Sequence, residues 1–202
     1  MADTMTPAPD TAAPTQPLSI SDLELNTNPF IKAFIKFNVY MYSKPPRKGQ
    51  LAFSKLGLKM HIALYKASKG KIMGKFGDLD GMLITTLGRK SGLRRTVPVG
   101  YIYDKGHFYS MAAPGHFDVP GGPKGKHPGW FVNLRANPEA TINIGPEIIE
   151  VVGEELRGEE RDAMWERFCE VFPFMRYFQS RSSRLIPVVR LTPKDMLTAK
   201  EM

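Results

Sequence analysis

MLITTLGRKSGLRRTVPVGYIYDKGHFYSMA, residues 82–112, contains three short runs rich in β-branched and aromatic residues. The runs 82–87, 95–103 and 107–112 are bounded by glycine, proline and aspartate, a pattern typical of β-strands. Only Asp104-Lys105-Gly106 separates the second run from the third, which predicts a hairpin. Because parallel strands need a crossover of a dozen or more residues, this pair is expected to be antiparallel.

Further strands and helices are predicted around this stretch. The other β-rich runs are 140–145, 147–156 and 186–192, with a turn at Asn143-Ile144-Gly145-Pro146-Glu147. Apolar residues at helical spacing predict helices near 30–40, 51–68, 128–137, 159–172 and 174–181. These elements predict an α+β fold: a small barrel of about six antiparallel or mixed strands with N-terminal and inserted helices.

The length of 202 residues suits one packed domain with tails. Residues 1–20 are predicted to be a disordered tail because their Pro, Ala and Thr side chains bury little apolar area. Residues 21–76 are predicted to form a basic helical segment, 77–195 the barrel domain and 196–202 a second tail. The single cysteine, Cys169, falls on an apolar helical face and is interpreted as a packed, inert thiol in a reducing compartment. No membrane span is predicted.

Positive charge is concentrated near the N-terminus. The chain carries a formal net charge of +8, and residues 31–76 contain eleven Lys or Arg and no Asp or Glu. An anionic partner of this segment is therefore expected. Residues 30–75 could lie on an anionic membrane surface or pack on the barrel by their apolar stripe. Nucleic acid is disfavoured because the aromatic residues follow that stripe instead of forming a stacking platform.

The turn between the first two strands of the opening stretch could bind an anion. Gly88 and Gly92 allow close approach of the backbone, while Lys90, Ser91 and Arg95 supply charge and hydrogen-bond donors. The alternative is a solvated hairpin tip, and neither a dinucleotide nor a P-loop motif is present to decide between the two.

Two motifs in this order resemble the deazaflavin-dependent nitroreductase and quinone reductase family, which uses reduced coenzyme F420. They are GRKSG-x-x-R-x-x-P over Gly88–Pro98 and P-x-W-F-x-N-L-R-A-N-P over Pro128–Pro138, and the resemblance covers about residues 82–193. It implies a split β-barrel, related to flavin-binding barrels, that holds the deazaflavin in a groove. The residues it implies at the cofactor are Lys90, Ser91, Gly92 and Arg95 at the phosphate and acidic tail, and Pro98, Ala112, Ala113, Trp130 and Asn133 along the ring and linker.

The chemistry implied by the resemblance is hydride transfer. This reaction requires that the protein position the acceptor and exclude water, and it needs no nucleophile on the protein. No catalytic residue is assigned, and Trp130 and Asn133 could equally be a core side chain and a helix-end residue. His116, Asp118 and His127 in the loop 114–129 are interpreted as loop residues, so no metal is expected.

The acceptor side departs from the nitroimidazole-reducing members. Those members carry several tyrosines in the stretch aligned with 172–180, where this chain has mostly Phe and Met. The substrate residues predicted there are Phe172, Met175, Tyr177 and Phe178, with core packing as the alternative. A hydrophobic acceptor, a quinone or an activated C=C bond, is therefore expected, with nitro compounds disfavoured.

Other functions stay open at this stage. The barrel could be a non-catalytic anion- or membrane-binding module, or it could hold FMN or haem. The protein is expected to be cytoplasmic, with peripheral contact at the inner face of the cell membrane, and to be a monomer or homodimer.

Overall fold

The computed structural model describes residues 48–114, 118 and 125–198. Seven strands and five helices lie in this part of the chain. In chain order they are α1 Lys48–Ala67, β1 Lys75–Phe76, β2 Leu79–Leu87, β3 Arg94–Asp104, β4 His107–Met111, α2 Gly129–Ala136, β5 Glu139–Ile144, β6 Glu147–Glu155, α3 Gly158–Val171, α4 Phe174–Ser180, β7 Val188–Pro193 and α5 Lys194–Thr198.

Six of the strands close into an antiparallel barrel in the order β2, β3, β4, β7, β6, β5. Closure comes from β2, which pairs with β3 along one edge and with β5 along the other, where Ile84 faces Ile142. The two-residue β1 lies on that second edge of β2, ahead of the β5 pairing. The predicted fold class, an α+β barrel of about six strands, is confirmed.

Two turns explain the hairpins that the sequence predicted. Lys105 and Gly106 have φ values of 48° and 86°, the left-handed pair that matches the twist of a two-residue hairpin. Gly145, with φ of 57°, makes the corresponding turn between β5 and β6.

The barrel wall separates two apolar clusters. The inner cluster includes Met82, Ile84 and Val99 with Trp130 and Phe131 of α2. Helix α2 also packs closely on β6, because a side chain at Gly153 would come within 2.4 Å of the Leu134 side chain. The outer cluster combines side chains of β4, such as Tyr109 and Met111, with the apolar faces of α3 and α4.

Tyr65 ties helix α1 to the barrel. Tyr65 is 2% exposed, and its hydroxyl lies 3.1 Å from the carbonyl oxygens of Gly81 and Asn143. The same hydroxyl accepts a hydrogen bond from the Gly145 N–H at 3.2 Å. Tyr65 therefore joins the helix to the edge where β2 and β5 meet.

The expectations for residues 1–20 and for the helix near 30–40 lie outside the described residues. Strand β1 falls within the segment 21–76, which was predicted to be helical, but it belongs to the sheet. Two residues are too few to show the alternation that marks a strand in the sequence. Helix α5 extends from the barrel domain into the expected tail 196–202. Its side chains are not buried, so it has no apolar stripe that the sequence could reveal.

Candidate active site

The turn between β2 and β3 is closed by its own backbone. The Gly88 N–H donates to the Leu93 carbonyl at 2.9 Å, and the Gly92 N–H donates to the Gly88 carbonyl at 2.8 Å. Gly92 has φ of +64°, which a residue with a side chain rarely adopts. At Gly88 an added Cβ would come within 2.7 Å of Ser91 Oγ. The two glycines therefore allow a tight turn that presents Lys90 and Ser91 at its tip.

The positive charges of this turn are not neutralised within the described residues. Arg89, Lys90, Arg94 and Arg95 are all exposed, and none of them takes part in an ion pair there. Other arginines of the barrel, such as Arg190 with Glu154 at 2.7 Å, do pair with carboxylates. The unpaired set fits a ligand with a phosphate or several carboxylates.

Asn133 connects this turn to helix α2. Its Oδ1 accepts a hydrogen bond from the Arg89 N–H at 3.1 Å, and its Nδ2 donates to Thr86 Oγ1 at 3.1 Å. The two predicted motifs thus meet in the structure through one amide side chain. That contact gives Asn133 a positioning role, and its contact with the cofactor stays a prediction.

Strand alternation places the remaining β3 residues on two faces. Val97 and Val99 belong to the inner cluster, so Arg95 points to the inner side at the end of the barrel, opposite Thr86. Pro98 lies on the outer side, opposite Leu83. The turn residues and Pro98 are therefore not on one face of the wall.

Trp130 and Ala112 lie together in the inner cluster. Trp130 is 6% exposed and contacts Phe131 edge-to-face at a centroid distance of 6.1 Å, and Ala112 is fully buried. This packing agrees with the core interpretation of Trp130, and its place along the cofactor ring stays a prediction.

Ala113 joins the other cluster, with all four predicted substrate residues. Phe172, Met175, Tyr177 and Phe178 pack there around Phe174, whose ring stacks on that of Tyr177 at 5.3 Å. Tyr177 is only 4% exposed. The consecutive residues Ala112 and Ala113 thus link the inner cluster to the apolar surface of α4.

The loop residues hold polar contacts of their own. The Asp118 carboxylate accepts hydrogen bonds from the Gly125 N–H at 2.7 Å and the Ser183 N–H at 2.8 Å. Among residues 48–114, 118 and 125–198, no three His, Cys, Asp or Glu side chains are grouped so as to hold a metal ion. His116 lies outside the described residues.

Cys169 is packed, as expected from the sequence. It is 3% exposed, and burial raises the pKa of its thiol from 9.0 to about 11. A thiol with that pKa carries almost no thiolate at neutral pH and is therefore unreactive.

Two features escaped the sequence analysis. Thr86, which is 1% exposed, anchors Asn133, and Arg184 Nη1 donates to the carbonyl of Gly125, 59 positions away in the chain and two residues before His127. No short sequence motif predicts either contact, because the partners are far apart in the chain. A shallow groove beside the turn, with Arg94 at one side, also holds Lys194, which pairs with Glu139 at 3.1 Å.

The described residues thus form a closed antiparallel barrel whose exposed cationic turn offers a site for an anion. Residues 57–193 match the family described as F420H(2)-dependent quinone reductase. This chain belongs to that family, so it is an oxidoreductase and its cofactor is reduced coenzyme F420. The non-catalytic alternative is therefore excluded.

The chain is also similar to individual proteins. A quinone reductase of the same description from Mycobacterium tuberculosis is 34% identical over 140 residues, covering 67% of this chain and 89% of its own length. A solved structure described as a domain-swapped dimer is 30% identical, with a TM-score of 0.50, covering 66% of this chain and 92% of its own. An F420-H2 dependent reductase is 34% identical, with a TM-score of 0.46 over 55% of this chain and 92% of its own.

Proposed function

We propose that the protein transfers a hydride from reduced F420 to a hydrophobic acceptor, a quinone or an activated C=C bond. The observation that carries this proposal is the unpaired cationic turn, fixed by Asn133 to the helix that also carries Trp130. The reduced deazaflavin supplies the hydride when it is bound. Lys90, Ser91 and Arg95 would hold its phosphate and acidic tail, because they are exposed at one end of the barrel.

The outer cluster supports a hydrophobic acceptor. Its side chains around Ala113 are aromatic rings and methionines, and the one tyrosine hydroxyl predicted at the substrate, on Tyr177, belongs to a side chain that is 4% exposed. A nitro group needs donors for its two oxygens, and few hydroxyls are offered here. Quinones and enones are therefore the preferred substrate class, and nitroimidazoles are expected to be poor acceptors.

The test measures oxidation of reduced F420 by its absorbance, with menadione, an enone and a nitroimidazole supplied separately. The proposal expects turnover with menadione that exceeds turnover with the nitroimidazole by at least tenfold, roughly 1.4 kcal/mol in transition-state free energy. Equal or faster nitroimidazole reduction would refute the acceptor assignment. Absence of turnover with all three, while F420 still binds, would refute the quinone and enone class.

We also propose that helix α1 contacts an anionic membrane surface, where hydrophobic quinones are concentrated. Leu56, Met60 and Leu64 recur at every fourth position and are 65%, 55% and 38% exposed, so they form one apolar stripe that faces solvent. Ile72 and Met73 continue the exposed apolar surface beyond the helix. No helix in the described part of the chain is long and apolar enough to cross a bilayer.

The charge around this stripe fits anionic lipid. Residues 48–76 contain seven lysines and no Asp or Glu, and the lysines at 55, 59, 66, 69 and 71 are exposed. Each lysine near an anionic leaflet contributes about 1 kcal/mol of attraction. We propose that the protein acts in the cytoplasm, at the inner face of the cell membrane, as a monomer or homodimer.

Sedimentation with vesicles tests this contact. The full chain is expected to bind vesicles that contain anionic lipid, to bind neutral vesicles weakly, and to dissociate at high salt. Leu56→Ser with Met60→Ser should reduce binding, whereas the matched control Ile148→Ser, at a side chain 69% exposed on β6, should not. Equal vesicle binding by both variants would show that the apolar stripe of α1 is not the surface that contacts the membrane.

A further inference from the structure

Among the buried polar atoms without a hydrogen-bond partner in the described part of the chain, two lie on segments that are joined to each other. They are Nδ1 of His127 and Nη2 of Arg184. Buried polar groups in folded proteins are nearly always hydrogen-bonded, because leaving one unpaired costs free energy. Two such atoms on joined segments, one of them on a cation, indicate a place where a ligand oxygen completes the bonding.

His127 contacts the helix that carries the predicted cofactor residue Trp130, and the backbone of Arg184 contacts the helix that carries the predicted acceptor residues. The His127 ring contacts Phe131 of α2 at a centroid distance of 5.0 Å, one residue after Trp130. The Arg184 carbonyl accepts a hydrogen bond from Gln179 Nε2 of α4 at 2.9 Å. A ligand oxygen at this pair would thus sit between the helix of Trp130 and the helix of Tyr177 and Phe178.

The backbone around the pair is fixed. Arg184 Nη1 donates to the Gly125 carbonyl at 2.5 Å, and the Asp118 carboxylate accepts from the N–H groups of Gly125 and Ser183. These bonds hold the two chain segments that carry His127 and Arg184 together. Arg184 Nη2 is therefore a preoriented donor and does not depend on a ligand for its position.

The charges around His127 favour its neutral form. Burial lowers the pKa of His127, and the nearby cations Arg184 and Arg135 lower it further. Burial also lowers the pKa of Arg184, while Asp118 opposes that shift. A neutral imidazole with its proton on Nδ1 beside a guanidinium provides two N–H donors, which suits an oxygen that gains negative charge.

We propose that Arg184 Nη2 and His127 Nδ1 bind a carbonyl oxygen of the acceptor, and this rests on the proposed function. In the reaction the C–H bond of the reduced cofactor breaks, and its hydride forms a new bond to the acceptor. The two electrons of the opened π-bond pass to the carbonyl oxygen, which Arg184 stabilises, and a proton from water then converts that oxygen to a hydroxyl. The cofactor is oxidised and the acceptor is reduced by two electrons.

The test compares Arg184→Lys and His127→Phe with the wild-type full chain. Lysine keeps the charge but lacks the second forked N–H, and phenylalanine keeps the ring packing on Phe131 but lacks the donor. Each variant is expected to lose at least tenfold in kcat/KM for menadione, as for loss of a hydrogen bond to a charged group. Menadione binding, measured by equilibrium dialysis with oxidised F420 present, should weaken in parallel, while the Kd of F420 stays within twofold.

Matched controls separate acceptor binding from a structural role. Arg176→Lys changes an exposed arginine on α4 that pairs with Glu166, and His107→Phe changes a histidine at the β3–β4 hairpin. Both should leave menadione binding unchanged. The assignment would be overturned if the variants lost affinity for F420 as strongly as for menadione, or if their Tm fell enough to explain the weaker menadione binding. It would also be overturned if both variants bound menadione with the wild-type Kd. If the wild-type protein binds menadione but does not reduce it, the proposed function is refuted. The menadione affinities of the two variants, measured by dialysis, then decide separately whether Arg184 and His127 bind the acceptor oxygen.

Discussion

Asn133→Ala tests whether the contact between α2 and the cationic turn prepares the cofactor site. The substitution leaves the hydroxyl of Thr86, 1% exposed, without its partner, which costs about 1–3 kcal/mol. The Arg89 N–H is exposed and gains a water in exchange, so its loss adds little. The expected destabilisation is therefore about 2 kcal/mol, or a fall in Tm of roughly 4–8 °C for a chain of this size.

Cofactor affinity should fall as well. Without Asn133 the turn must be ordered when F420 binds, and fixing one residue's backbone costs about 1–2 kcal/mol, or roughly tenfold in Kd. Thermal unfolding and an F420 fluorescence titration measure the two effects. Thr86→Val, combined with Asn133→Ala in a double-mutant cycle, isolates the side-chain bond.

The matched control is Asn137→Ala, at the end of the same helix, where Oδ1 accepts the exposed Glu139 N–H at 3.1 Å. Its F420 affinity should equal that of the wild type. A normal Kd for F420 in Asn133→Ala, with the expected fall in Tm, would refute the idea that this amide positions the turn for the cofactor.

Three further outcomes follow from single side chains. Lys90→Ala and Arg95→Ala should each weaken F420 binding roughly five- to tenfold and reduce its dependence on salt, measured by titration at two ionic strengths; unchanged affinity in both would remove the turn from the site. Tyr65→Phe should lower the free energy of unfolding in urea by about 1–3 kcal/mol, because the Gly81 and Asn143 carbonyls lose the hydroxyl donor that they share and the Gly145 N–H loses its acceptor; an unchanged midpoint would contradict this. Because the pKa of Cys169 is raised from 9.0 to about 11 on folding, the unfolded thiol ionises first as pH rises. Stability should therefore fall between pH 9 and 11, by about 2–3 kcal/mol more in the wild type than in Cys169→Ala, and equal pH profiles would show that the thiol is not buried.

The sequence predicted most of the secondary structure because short periodic runs between glycines and prolines carry local information. The hairpin at Lys105-Gly106 is an example, since its turn type requires positive φ at both residues. Helices α2, α3 and α4 were also predictable, because proline marks their ends and apolar residues mark their buried faces. The density of charge in one turn left an anion site and a solvated hairpin tip as alternatives, and the anionic cofactor followed from the family resemblance.

Contacts between distant residues were decided by tertiary structure alone. Strand alternation around the closed barrel sends Ala112 to the inner cluster and Ala113 to the outer one, and a one-residue change of register would exchange them. Asn133 reaches Thr86 across 47 positions, and Arg184 reaches the carbonyl of Gly125 across 59 positions. Local sequence encodes which element forms, through backbone preference and periodicity, whereas hydrogen bonds between side chains depend on how the closed sheet and its helices are packed.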